Sequence, residues 1–357
     1  MATLLWPRLT RLGLRLLAGH AVDLDQAAAA TWTLAPAEEG PIAAALHLPN
    51  QQRRIVALSP WRTDEAERNL VEGGTARHAA SRAFLLKNVT LAGSHLYCGP
   101  AKIRCGPRDE EWFRRSPWVR RSTAHLTGTF ASTGYFANFV LDELALDLAL
   151  PADAPRVTAV PNRFEHAAGY RQMLGIARPD ALPMARFAEL TCYQDFAQHS
   201  HKAARYRELR NRIRRAVGRR QPPTGIFLDR GESGEPRRIG NREEVLECFL
   251  SAGFRILRPS EMSAEDIVSA MIDAPIVAGV EGSHLAHGVY TIADGGTFLV
   301  IQPPDRFAMT YKEFTDCMGM RFAFVVGEGA GDGFHVPTDD ILATLDLIDR
   351  QPGVPRR

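Results

Sequence analysis

Long apolar runs are missing from this sequence. Nothing in its 357 residues approaches the ~18 apolar residues of a membrane-spanning helix. No uninterrupted apolar core with a small-residue cleavage site follows the first arginines, so no signal peptide is expected. Cysteine is scarce. The five residues, Cys98, Cys105, Cys192, Cys248 and Cys317, are odd in number and scattered, and even Cys98 and Cys105 fit no common zinc spacing. They are expected to be reduced, mostly buried thiols in a cytosolic protein. A charge excess is lacking too: 43 basic against 41 acidic residues leave a net charge of +2, which argues against a dedicated nucleic-acid binder. Repeats of 20 to 50 residues are absent, which excludes a solenoid. Neither a GxGxxG fingerprint nor a P-loop lysine motif occurs, so no ordinary dinucleotide or NTPase site is present.

What remains is the composition of a soluble globular chain, with 45% hydrophobic and 24% charged residues. Its length implies two domains rather than one core. Leu5, Leu9, Leu12 and Leu16 share a helical stripe beside Arg8, Arg11 and Arg15, predicting an amphipathic helix within residues 1–25. Such a helix either docks on its own domain or lies on an anionic membrane surface. An α/β domain is expected over 26–215. In it, "AFLLKNVTLAGSHLYCG" reads as a hairpin, Phe84 to Val89 and His95 to Cys98. Phe136, Phe139, Val140, Leu144 and Leu148 form one face of a helix that Pro151 ends. Residues 199–220 carry nine Lys or Arg against Glu208 alone and read as a solvated helix between domains, with contact to anionic lipid as a second reading. Tyr206 is the one aromatic among them, which disfavours single-strand or RNA binding.

The second half is clearer. Short apolar strands, "GIFLD", "FRIL", "PIVAGV", "TFLVIQ" and "RFAFVV", alternate with helices of about ten to thirteen residues. Buried strands of this kind read as continuous apolar runs in a doubly wound parallel sheet. This domain is placed at 222–345, with a tail at 346–357. Asn241 with Glu244, and Ser263 with Asp266, occupy capping-box spacing at two helix starts.

In an open parallel sheet, ligands bind where strand ends pass into helices. Two loops qualify here. One follows Asp229 and carries Arg230, Arg237 and Arg238. The other is "VEGSHLAHGVY", in which Glu281, Gly282, Ser283, His284 and His287 follow the strand and open a helix. Glycine allows close backbone approach, a helix start offers amide N–H groups, and arginine grips phosphate oxygens bidentately. The combination predicts a diphosphate site.

In order and spacing, Asp229 to Val326 resembles the glycosyltransferases of family 61, many of them bacterial capsule and exopolysaccharide enzymes. The resemblance rests on Arg230, Arg238 and Asn241, then Gly253-Phe254, then Pro259, Glu261 and Ser263, and finally Gly279, Glu281, Gly282, Ser283, Leu285 and His287. A weaker match upstream takes in Tyr135, Phe136, Asn138, Phe139, Asp142 and Leu144. It departs from the family at Asn138, where histidine is usual, and at Ala145, where proline is usual.

The resemblance implies a GT-B-like architecture of two Rossmann-like domains, with the nucleotide sugar mainly on the C-terminal one. It also implies inversion at the anomeric carbon and transfer from a nucleotide sugar, a UDP-sugar in our reading, to a glycan or lipid-linked glycan acceptor. Arg230, Arg238, Asn241, Gly282, Ser283 and His284 would hold the donor, with Tyr135 and Asn138 on the acceptor side. Asp142 is the expected general base, with Glu281 and His287 as rivals. No cofactor or metal is expected, although Asp23-Leu24-Asp25 spells an Asp-x-Asp triplet. The expected location is cytoplasmic or peripheral on the inner face of the cytoplasmic membrane. Loss of the usual histidine at 138 leaves a non-catalytic nucleotide-sugar binder, acting as sensor or scaffold, as the alternative.

Overall fold

A computed structural model describes residues 2–3, 7, 10–12, 14–15, 22–106, 115–218, 220–231, 237–330 and 333–351. The helix expected within residues 1–25 lies largely outside them. Among the described residues no helix is long and apolar enough to cross a membrane. The acids of the Asp-x-Asp triplet have structural tasks. Asp23 caps the short helix Leu24–Ala27 by accepting from the Gln26 amide at 2.9 Å, and Asp25 pairs with Arg82.

The chain gathers into two units, Met1–Ala37 with Ala79–Ala197, and Glu38–His78 with Gln198–Arg357. The border thus precedes the basic segment, where the sequence suggested one after it. Residues 38–78 also join the second unit. Leu46 bridges to Ala323, His47 stacks on Phe324 at 4.8 Å, and the buried Lys312 ammonium donates to the Ala43 carbonyl at 2.7 Å.

The first unit holds an eight-stranded mixed sheet. Its strands are β1 (Ala30–Ala35), β2 (Ser81–Ala92), β3 (His95–Cys98), β4 (Ala101–Arg104), β5 (Val119–Leu126), β6 (Arg156–Thr158), β7 (Asp180–Ala181) and β8 (Met184–Gln194). The order is β7-β6-β5-β8-β2-β3-β4, with β1 also on β2. Only β5, β6, β7 and β8 run parallel to their neighbours, and β8 meets β2 antiparallel. The Rossmann-like pattern expected here is therefore only partial, because the β2–β3–β4 meander is local and antiparallel. The predicted hairpin is present, with its first strand extended to Ala92 and Gly93 taking the left-handed turn position.

Leu86, Val89, Leu91, Leu96, Phe187 and Leu190 fill the core, each worth about 1.5–3 kcal/mol on burial. Cys105 and Cys192 lie among them. All five cysteines are free, and burial pushes the Cys105 thiol up to about 12.

The helix predicted around Phe136–Leu148 is present but interrupted. Tyr135 is extended between two short helical pieces, and Phe139–Glu143 form a π-turn before Leu144–Asp147. The π-turn sinks Asp142 and Glu143 into the unit. Glu143 accepts from Ser132 Oγ at 2.8 Å and from Arg171, whose guanidinium also stacks 5.3 Å from the Phe139 ring. Such turns often mark functional positions in helices.

The second unit contains a five-stranded, all-parallel sheet: β9 (Ile226–Leu228), β10 (Arg255–Leu257), β11 (Ala274–Val280), β12 (Ile292–Gln302) and β13 (Arg321–Val326). Their spatial order is β10-β9-β11-β12-β13, so the direction of winding reverses between β9 and β11. The helices are α1 (Ser200–Val217), α2 (Arg242–Ser251), α3 (Ala264–Met271), α4 (Lys312–Met318) and α5 (Thr338–Asp349). Val245, Phe249, Ile341, Leu345 and Ile348 from α2 and α5 join Phe227, Ile276, Leu299 and Val325 in one core.

The basic helix α1 is not a solvated spacer. Lys202 and Arg210 are fully buried. Arg210 donates to the carbonyls of Val289, at 3.0 Å, and Ile292, and pairs with Asp294. Arg214 pairs with Asp273 and Asp294. A cavity of about 960 Å³ runs along the outer edge of β10, between Pro222-Pro223 and Leu250.

Candidate active site

The winding reversal brings two strand ends side by side, with Leu228 opposite Gly279. β9 continues into Asp229-Arg230 and β11 into Glu281-Gly282. Gly282 adopts φ +154°, a conformation that side chains rarely take. A Cβ built on it would sit 2.8 Å from Arg237 Nη1, 3.0 Å from Arg230 Nη1 and 3.2 Å from His284 Nδ1. The absent side chain thus leaves a seat one heavy atom wide, faced by two guanidiniums. An anion oxygen fits such a seat by size and by charge.

Each wall is held from behind. Asp229 accepts from Arg242 Nε at 3.2 Å, from Arg258 Nε at 3.3 Å and from the Gly231 amide at 3.3 Å. Burial alone would raise its carboxyl, but these donors hold it below the ordinary range. Glu281 pairs with Arg237 at 2.8 Å, with both side chains only 10% exposed. Tyr311, buried and stacked 5.4 Å from Phe298, donates to the Gly282 carbonyl at 3.0 Å. Burial, then the Glu281 charge, keeps its phenol well above the usual value.

Burial and the flanking Arg230 and Arg237 push the His284 imidazole down to about 3. It is therefore neutral wherever the protein is folded in ordinary buffers. Between its unfolded pKa near 6.5 and about 3, the unfolded chain binds a proton that the folded site refuses, so acid destabilises the fold. Stability should fall by up to ~1.4 kcal/mol for each pH unit below 6.5. Thermal melts from pH 7 to 5 check this: the wild-type slope should exceed that of His284→Gln. Equal slopes would mean that the imidazole titrates normally. Asp229 adds a loss of the same sign only near and below pH 4.

Residues 129–299, just under half of the chain, match the family model described as Glycosyltransferase 61. The protein is a glycosyltransferase. No curated protein matches the chain. The matched stretch takes in Asp142, Arg230, Arg237 and the turn from Glu281 to His287.

At the two strand ends Arg230, Gly282 and His284, expected to hold the donor, lie together with Glu281, expected as a rival base. Others of the expected residues stand elsewhere. Arg238 is exposed, and its carbonyl accepts from the Phe334 amide at 2.9 Å. Asn241 starts α2 without capping it. Its carboxamide instead clamps Val336, donating to the carbonyl and accepting from the amide, both at 2.9 Å, and its Nδ2 reaches Glu244 at 3.2 Å. The helix expected after Gly282 is a 3-10 turn of six residues, Ser283–Gly288, too short to bring a helix dipole to bear. Side chains rather than the dipole supply the positive field.

His287 is buried, and its carbonyl accepts from Thr291 Oγ1 at 2.8 Å. In the first unit, Asn138 Nδ2 donates to Asp142 Oδ2 at 2.9 Å, and Tyr135 is exposed nearby in sequence. Sequence reasoning named Arg237 but passed it over for its neighbour, and missed Tyr311 and the anchoring role of Asp229. The Asp229-Arg230 pair closing a buried strand was the available signal for the last.

Proposed function

We propose that this glycosyltransferase transfers a sugar, with inversion, from a nucleoside-diphosphate donor of the UDP-sugar kind to a glycan or lipid-linked glycan acceptor. Its setting is the assembly of a bacterial capsule, exopolysaccharide or lipopolysaccharide, at or near the inner membrane face. The observation that carries the reading is the convergence of Arg230 and Arg237 on the vacant Cβ position of Gly282. As the sugar–oxygen bond breaks, negative charge grows on the departing diphosphate. Preorganised guanidiniums in a partly dehydrated site stabilise that charge more in the transition state than in the bound donor.

The acceptor hydroxyl needs a base. Glu281 stands at the diphosphate seat beside Arg237 and His287 is sealed from solvent, so Asp142 is retained for this role. Asn138 orients its carboxylate, a task that the histidine usual at that place would also serve.

A thermal-shift screen of wild type and Arg230→Ala against UDP-, GDP-, CMP- and dTDP-sugars tests the donor. A ligand that binds the folded state at a hundred times its Kd adds about 2.7 kcal/mol of stability. Wild type should be stabilised by at least one diphosphate donor, and Arg230→Ala should lose both that shift and turnover. Equal shifts and equal turnover in the two proteins reject the assigned phosphate role.

A further inference from the structure

The anion seat contains its own anion. Glu281 immediately precedes Gly282, and its carboxylate lies 2.8 Å from Arg237 Nη2, with both side chains nine-tenths buried. Another nitrogen of that guanidinium, Nη1, faces the seat at Gly282 beside Arg230 Nη1. Two guanidiniums converging on one point repel each other strongly where water is scarce. One carboxylate lowers their joint charge from +2 to +1.

We infer that Glu281 is the site's internal counter-ion, which holds Arg237 while no donor is present and gives it up to the diphosphate. This rests on the reading of the seat as a diphosphate site. Glu281 then sets affinity rather than chemistry. A donor must compete with a carboxylate already in place, which weakens its binding. After transfer, the same carboxylate reclaims Arg237 and drives the nucleoside diphosphate out. An enzyme whose turnover is limited by product release gains from such a device.

Removing only the charge, with Glu281→Gln, should therefore strengthen anion binding. Titration of the full-length protein with inorganic pyrophosphate in calorimetry is the test, done at two salt concentrations. Glu281→Gln is expected to bind about tenfold tighter than wild type. Its salt dependence should be steeper, because a pocket of charge +2 gathers more counter-ions. In an Arg237→Ala background the gain should shrink to the direct effect of removing one negative charge beside the anion, since Glu281 then holds no guanidinium to release. A merely structural glutamate would not produce that dependence.

Equal or weaker binding by a cooperatively folded Glu281→Gln overturns the inference, and so does a gain that persists undiminished without Arg237. Glu281→Ser serves as a second, smaller variant, and whichever of the two folds decides. If neither wild type nor the variants bind pyrophosphate at low salt, the diphosphate reading itself fails and carries the counter-ion down with it. Tight binding that Arg230→Ala abolishes, without any gain in Glu281→Gln, keeps the site and removes the counter-ion alone.

Discussion

Gly282→Ala should cut donor-dependent transfer by about a hundredfold while the second unit stays folded. The added methyl would stand 2.8 Å from Arg237 Nη1 and 3.0 Å from Arg230 Nη1, inside contact distance of both. These atoms end flexible side chains, so they can retreat and the steric cost to the fold is small. The backbone adds a second cost. Alanine at φ +154° is strained by about 1–3 kcal/mol, which a domain of ordinary stability tolerates. The donor has no such freedom, because the methyl fills the seat and the retreating guanidiniums no longer converge on it. Donor-induced thermal stabilisation should vanish together with turnover, against a melting transition still cooperative in the absence of ligand. Preserved transfer in a folded Gly282→Ala protein would show that the diphosphate sits elsewhere.

The same residues explain how much of this site the sequence could disclose. The strands of the second unit are buried on both faces, so Ile226–Leu228, Ala274–Val280 and Arg321–Val326 appear as short apolar runs, and their alternation with helices betrays a parallel sheet. The reversal point follows from strand order, which local pattern does not encode. Arg237 and Arg238 show where local reading stops. Backbone pairing of Arg238 and Ile239 with Phe334 makes the stretch extended, and successive side chains in extended backbone point opposite ways. One arginine had to face the seat and its neighbour had to face away. Only the pairing with a segment almost a hundred residues later decides which.

The turn after Gly282 misled for a different reason. Leu285, Ala286 and Val289 have helical spacing, but Gly288 lies so close to Phe298 and Val277 that a Cβ there would meet them at 2.6 and 3.1 Å. Packing onto the sheet stops the turn after six residues. The docking of residues 38–78 was hidden in the same way, since Leu46 and Ala43 find partners at Ala323 and Lys312, far along the chain.

Asp142→Asn should lower kcat by about 10²–10⁴ without weakening donor binding, the reverse of the pattern expected at Gly282. The substitution keeps the volume of the side chain and its place in the π-turn, yet leaves no carboxylate to take a proton. Because Asn138 donates to Asp142 Oδ2 at 2.9 Å, Asn138→Ala should lie between wild type and Asp142→Asn, with a smaller loss in kcat and the donor-induced thermal shift intact. Asn138→His, which places there the residue usual in glycosyltransferase family 61, should keep most of the activity by donating a ring N–H to the same oxygen in place of the carboxamide. Initial rates at saturating donor, paired with donor thermal shifts, separate these cases. Turnover within threefold of wild type in Asp142→Asn would assign proton removal to another group. A loss of donor shift in the same variant would instead mark Asp142 as part of the scaffold. A base acts on the acceptor after the donor is bound, so chemistry and donor affinity must part company at this residue.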